Sequence, residues 1–340
     1  MFNIRKLLFY IIIFLGLIIV LPIKEPDFMM HVQQQARTKV DAWTNNDNIA
    51  NKELKIPSKQ EFALNNVQMN MTKAQVENKL GKAQRITTNE YGTKWYSYYT
   101  KDYQDFIMVS YIDSKVNGLY TNQNVISSQS KIKYGTPKEL VRQRLGKPIT
   151  EKRKDNVRYE IDNKEYDTFH KHNIYTTAFY DKHSKNNLTS ILLVSNQMEN
   201  RLRGQYGPPS DELKKSFELQ NFDLVNAERV QHNLSTLSYS DEASNTARKH
   251  SDDMAQHHYF DHTDLKGNSP FDRLKADNIN FNAAGENLAY GQVDSIYAHE
   301  GLMNSLGHRK NILRTSYHKL GVGVSFNSNK QPYWTENYTN

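Results

Sequence analysis

Not one of the 340 residues is cysteine. No disulfide can staple this chain, and no thiolate can ligate zinc, build an iron–sulfur cluster or act as a nucleophile. The fold must be held by packing, for which 37% hydrophobic residues, 21 Tyr and 14 Phe supply material. Any metal must be held by His and carboxylate groups. The length allows one large domain or two to three ordinary ones.

The N-terminus sets the compartment. After Arg5 and Lys6, the run from Leu7 to Ile23 carries no charge. As a helix it spans about 26 Å, near the lower limit for crossing a bilayer. Basic residues in front of it place everything after Lys24 outside the cytoplasm. The flank Pro22-Ile23-Lys24-Glu25-Pro26 has no small-residue cleavage signal, which predicts an uncleaved signal anchor over residues 1–23. The expected location is therefore the cell membrane, single-pass, with the C-terminal domains extracellular. A cysteine-free exported chain suggests a Gram-positive cell envelope.

The net charge of +7 is unevenly spread. Residues 24–212 carry the excess, whereas 213–340 are slightly acidic, with 13 basic and 15 acidic residues. No run of five Lys/Arg and no glycine-aromatic RNA-binding pattern occurs, so nucleic acid is not an expected partner. Wall polymer or anionic lipid suits the basic region better.

Residues 24–60 read as an extracellular tether, polar and without apolar period, with Gln33-Gln34-Gln35 and Asn45-Asn46-Asp47-Asn48. From 61 to 200 the chain repeats itself. Met71-Thr72-Lys73-Ala74-Gln75-Val76 leads to Leu80-Gly81-Lys82, and 65 residues later Thr136-Pro137-Lys138-Glu139-Leu140-Val141 leads to Leu145-Gly146-Lys147. Each predicts a short helix, capped by Thr or opened by Pro and stopped by Gly. Strands are expected at 95–99 with 106–112, and at 157–161 with 175–180. Two small α+β units packed side by side result. The H-x-H pair His170 and His172 reads as exposed loop histidines. A Gly/Pro-rich connector, 201–210, closes the region.

Eight of the twelve histidines fall in the last 128 residues. A helix is expected from Asp211 to Leu234, and a second from the N-cap Ser240 to His257 with His250 on its buried face. Tyr259-Phe260-Asp261-His262 follows. Ser269-Pro270 opens a third helix with Phe271 and Leu274 inward. Ala284–Gly291 reads as a glycine-bracketed loop presenting Glu286 and Asn287. A fourth helix runs from Asp294 past His299 and Glu300 to Gly307, ahead of His308-Arg309-Lys310-Asn311-Ile312-Leu313. Strands at 321–326 and 333–338 form a hairpin around 327–331. Helices followed by antiparallel strands indicate an α–β–α layered domain.

Four strings in this order, Tyr259–His262, Gly285–Ala289, Ser305-x-Gly307-His308-Arg309-x-Asn311-Ile312-Leu313 and Gly321-Val322-Gly323, resemble the CAP superfamily (cysteine-rich secretory proteins, antigen 5, pathogenesis-related proteins). The cysteine-free form is similar to its bacterial branch, and the repeat resembles the CAP-associated N-terminal domain of Firmicutes. The resemblance implies an α+β chain: a transmembrane helix, a tandem α+β domain over 61–200, and an α–β–α sandwich CAP domain over 213–340. It also implies a cleft with two histidines and two acids that binds a divalent metal in some members. By motif the histidines are His262 and His308 and the first acid is Glu286. Glu300 is the candidate second acid, with His299 its rival, and Asn287 lines the same cleft.

Such a set suits Zn2+ or another divalent metal with room for water. Three functions are compatible: a surface module that binds a ligand or metal without turnover, a metal-dependent hydrolase of wall peptide or protein with Glu286 as general base, or a non-catalytic envelope interaction protein. No G-x-S-x-G motif occurs. Oligomeric state is not encoded in any of these features.

Overall fold

The computed structural model describes residues 53–340, apart from 155 and 162. The expected anchor over Leu7–Ile23 and the tether up to residue 52 lie outside the described residues. Among the described residues no helix is long and apolar enough to cross a membrane.

The first half is built twice from the same plan. In chain order it contains β1 (Phe62–Leu64), α1 (Lys73–Leu80), β2 (Arg85–Thr88), β3 (Lys94–Tyr98), β4 (Ile107–Ile112), β5 (Lys115–Thr121) and β6 (Ile126–Ser128). Then come α2 (Lys138–Leu145), β7 (Glu151–Lys154), β8 (Val157–Glu160), β9 (Tyr166–Lys171), β10 (Ile174–Asp181) and β11 (Asn187–Ser195), followed by the short α3 (Asn196–Glu199). Thr72 caps α1 in a capping box with Gln75, and Pro137 opens α2. Gly81 (φ 79°) and Gly146 (φ 88°) end the two helices in a backbone region that only glycine enters freely. Even single bridges repeat: Thr72 pairs with Lys115 and Pro137 with Asn187.

The two units share one sheet. Its order is β2-β3-β4-β5-β11-β10-β9, and the equivalent last strands join antiparallel, Gly118 opposite Val194 and Thr121 opposite Ile191. The expected strand at 157–161 is instead half of a separate two-stranded hairpin with β7. One sheet face packs on α1 and α2 through Val76, Val109, Val141, Leu145 and Leu193. His170 and His172 are exposed at the β9–β10 turn, as the sequence suggests; His170 stacks on Tyr175 and meets Asn196 at 2.8 Å. Leu54, in the stretch read as tether, packs on this domain.

The second half contains α4 (Asp211–Gln231), β12 (Ser238–Tyr239), α5 (Asp241–His257), α6 (Pro270–Ala276), β13 (Ala284–Tyr290), α7 (Ser295–Asn304), α8 (Leu306–Ile312), β14 (Lys319–Phe326) and β15 (Pro332–Thr339). The sheet order is β12-β14-β15-β13. Helix α5 covers one face, capped by Ser240. It lies so close that a Cβ on Gly321 would sit 2.2 Å from the Ala243 carbonyl carbon, and one on Gly323 2.1 Å from the Arg248 nitrogen. The other face, with Val322, Val324, Trp334 and Tyr338, packs on α4, α7 and α8.

Three local expectations change. Residues 284–290 form a strand rather than a loop, paired with β15 from Ala284–Thr339 to Tyr290–Tyr333. The fourth helix breaks at Ser305, an extended residue between α7 and α8. Phe271 is 44% exposed and rests on Phe281, while Leu274 is buried as expected.

The free face of the seven-stranded sheet meets the second half directly. Trp95, Phe106, Met108, Phe179 and Leu192 form one apolar cluster with Leu224, Ala227 and Ile296. Around it, Arg85 binds buried Asp223 through Nε at 3.0 Å, and Tyr103 donates to the same carboxylate at 2.8 Å. Arg309 reaches Asp181 at 3.0 Å.

Candidate functional site

The site lies at the edge strand of the sheet, β13. Helix α5 ends at His258, held in the left-handed region (φ 57°). Two Asx turns then fold the chain back. Asp261 accepts from the Thr263 N–H at 2.7 Å, and Asp264 accepts from the Lys266 and Asn268 N–H groups. His262 stands on the first of these turns with its side chain half exposed. Ser269 and Asp272 form a capping box that starts α6, which places Arg273 behind the turn. Its guanidinium donates to the carbonyls of His262 and Asn268, both at 2.9 Å.

Strand alternation divides Glu286 from Asn287. Glu286 faces α5 and is nearly fully buried. One of its oxygens accepts from His262 Nδ1 at 2.8 Å and the other from Arg273 at 2.8 Å. This relay fixes the His262 tautomer and turns Nε2 outward. The hydrogen bond to Glu286 raises the His262 pKa above its ordinary value, against the opposing effect of burial.

Asn287 faces the other way and is completely buried. It donates to the His308 carbonyl at 3.2 Å and to Glu336 at 2.9 Å, and accepts from Asn311 at 2.9 Å. It therefore braces the start of α8 and does not reach the surface of the cleft. His308 sits on that helix, half-buried. Burial pushes its pKa down, the charge of His262 adds to this, and Glu336 opposes it. His250 is buried on α5, its Nε2 bonded to the Asp261 carbonyl at 2.9 Å, as its helical spacing suggests.

Glu300 is not part of this group. The break at Ser305 separates its helix from that of His308, and Glu300 turns toward the seven-stranded sheet. There one oxygen accepts from Tyr120 at 2.6 Å and from Ser190. His299 is also fully buried, 3.8 Å from Glu228. The structure thus brings together His262, Glu286 and His308, and adds Arg273, Glu336 and Asn311, which the sequence reading missed. Only the capping box hinted at Arg273, and nothing local marked Glu336.

As a metal site the donors do not fit a four-ligand set. Among the described residues no group of three or more His, Asp or Glu side chains is placed to hold an ion. Both oxygens of Glu286 are engaged, and Glu300 lies elsewhere.

The matches follow the same division. Residues 69–205 match the CAP-associated N-terminal family and residues 222–338 the cysteine-rich secretory protein family. A Bacillus subtilis membrane protein, YlbC, is 31% identical over 283 residues, covering 78% of this chain and 80% of the relative. The chain belongs to the CAP (cysteine-rich secretory protein) family.

Its fold is shared with solved structures of family members. An extracellular SCP-domain protein from Bacillus anthracis aligns with a TM-score of 0.70 at 24% identity, covering 86% of this chain and 99% of the other. A cysteine-rich secretory protein from Staphylococcus aureus aligns with a TM-score of 0.61 at 18% identity, covering 80% and 93%. This CAP domain keeps the family's fold without a cysteine.

Proposed function

We propose that this chain is a membrane-anchored, cell-surface CAP protein whose site binds a ligand at the envelope without turning it over. The observation that carries this reading is the state of Glu286. A general base must present a lone pair to water in the cleft, and the Glu286 side chain is only 1% exposed, closed off behind His262 and Arg273, which each donate to one of its oxygens. The groups left to meet a ligand are His262 Nε2 and the His308 ring. The same segments expose apolar side chains, Phe260, Tyr290 and Leu306, with the Phe260 and Tyr290 rings 5.8 Å apart. Imidazole donors beside exposed aromatic faces suit a polar polymer with apolar substituents, such as wall peptide or glycan. The uncharged run Leu7–Ile23 and the membrane relative support the anchor, and the basic region 24–212 supports an anionic envelope polymer as partner.

Metal binding remains a second reading, in a reduced form. His262 Nε2 and His308 would supply two ligands, Glu286 would orient His262 from behind, and water would complete the shell. A hydrolase would require His262, not Glu286, as its base. The test is retention of wall fragments by the full chain in detergent, comparing wild type with His262→Ala and His308→Ala. Retention by wild type alone, with fragment masses unchanged, supports binding; equal retention by all three removes the site from the account.

A further inference from the structure

A second cavity, of about 300 Å³, lies between the two domains and away from the CAP site. That volume is at the small end of ligand pockets. Its walls come from the β2–β3 turn, the β7–β8 hairpin, the Gly-rich connector and the segment leading into α7. Four tyrosines, Tyr91, Tyr159, Tyr166 and Tyr297, line it together with Phe179.

The unsatisfied polar atoms here are of one kind. Glu90 is 2% exposed, and neither of its carboxylate oxygens accepts from a fixed N–H or O–H of another residue, only the Asp294 carboxyl lying beside them; the Gln292 Oε1 has no donor either. All three atoms are acceptors, so the missing partner is a donor. The lysines of the cavity do not supply it. Lys152 and Lys154 both bind Glu199, at 3.0 and 2.9 Å. Asp294, the neighbour of Glu90, is fixed as the N-cap of α7, accepting from the Tyr297 N–H at 2.9 Å. The cavity walls carry Lys152 and Lys154 against Glu90, Glu160, Glu165, Glu199 and Glu300, an acidic excess that a cationic ligand would offset. A divalent metal is a poorer fit, because no three ligating side chains converge among the described residues. An ammonium gives three N–H donors, and the tyrosine rings offer faces to a cation.

We propose that this interdomain cavity binds a small primary amine, its ammonium group donating to Glu90 and to the Gln292 Oε1 between the two domains. Without ligand, Glu90 and Asp294 share a proton, which keeps two buried carboxyls from facing each other as anions. Burial and Asp294 raise the Glu90 pKa well above its ordinary value, in keeping with that arrangement. Arrival of the ammonium releases the proton, so binding and proton release are linked.

The proposal does not depend on the function of the CAP site. Its test is calorimetry on the full chain in detergent, with butylamine, cadaverine and, as a cation without N–H donors, tetramethylammonium. Expected are saturable binding of the primary amines, proton release seen as a buffer-dependent heat, and at least about tenfold weaker binding to Glu90→Gln. Gln292→Ala, on a more exposed residue, gives a milder, several-fold loss and serves as the second variant. No binding of either amine up to millimolar concentration overturns the proposal. So does equal binding to wild type and both variants, or tetramethylammonium binding as tightly as butylamine.

Discussion

The carboxylate of Glu286 holds the His262 imidazole by its Nδ1 at 2.8 Å while Arg273 binds the opposite oxygen at the same distance. A buried anion thus sits between a half-exposed ring and a nearly buried guanidinium. The side chain that the family resemblance makes the first acid of a metal-binding tetrad here holds the His262 ring by its Nδ1.

The two site histidines titrate apart. His262 is raised by its bond to Glu286, so its stabilising contribution is full below about pH 6.5 and fades as pH climbs through the higher native value. His308 is lowered by burial, so its contribution is present above about pH 6.5 and is lost as pH falls through the lower native value. Ring-proton NMR should show His262 titrating above the free-histidine value and His308 below it. Glu286→Gln should bring His262 down toward that value.

Breaking the relay from behind costs more than breaking it from the front. Arg273→Ala leaves the Glu286 charge buried with one partner, and a loss of about 3–5 kcal/mol is expected by urea unfolding. His262→Ala removes a half-exposed member and should cost below about 1 kcal/mol. Equal losses would show that Arg273 and His262 carry the same load.

Gly323→Ala should destabilise the CAP domain by about 1–3 kcal/mol. The added Cβ would meet α5 backbone at 2.1–2.3 Å, and a helix backbone cannot rotate aside as a side chain can. The measurement is the thermal midpoint, with Ser325→Ala on the same strand as control.

Glu300 ties the CAP domain to the first domain, and burial pushes its carboxyl up to about 7. The protonated form favours the fold, so its contribution is full below about pH 4.3 and lost as pH rises through about 7. Glu300→Gln keeps the acceptor for Tyr120 and Ser190 and removes the charge. Its stability should exceed wild type at pH 8 by on the order of 1–3 kcal/mol and approach it near pH 4, read by chemical unfolding at both values.

What the sequence made legible was local. Ser240, Ser269 and the two helix-ending glycines announce their caps within four residues, and the strings around His262, Glu286 and His308 carry the site. Glu300 misled because its partners, Tyr120 and Ser190, lie 180 and 110 residues away. The kink at Ser305 that turns it from His308 comes two residues before Gly307, where the sequence ends the helix instead. The strand at 284–290 was hidden because Gly285 and Asn287 favour turns and Glu286 is a poor strand former, and only pairing with β15 overrides those preferences. Asn287 followed from the same error, since a strand sends neighbouring side chains to opposite faces.

If Glu286 is a mount and not a base, the site binds wall fragments without cleaving them. The most direct measurement incubates the full chain with purified wall fragments and follows their masses, alongside Glu286→Gln and His262→Ala. The account predicts retention of intact fragments by wild type, weakened in His262→Ala, with no new masses. New, shorter fragments produced by wild type and abolished by Glu286→Gln would contradict it.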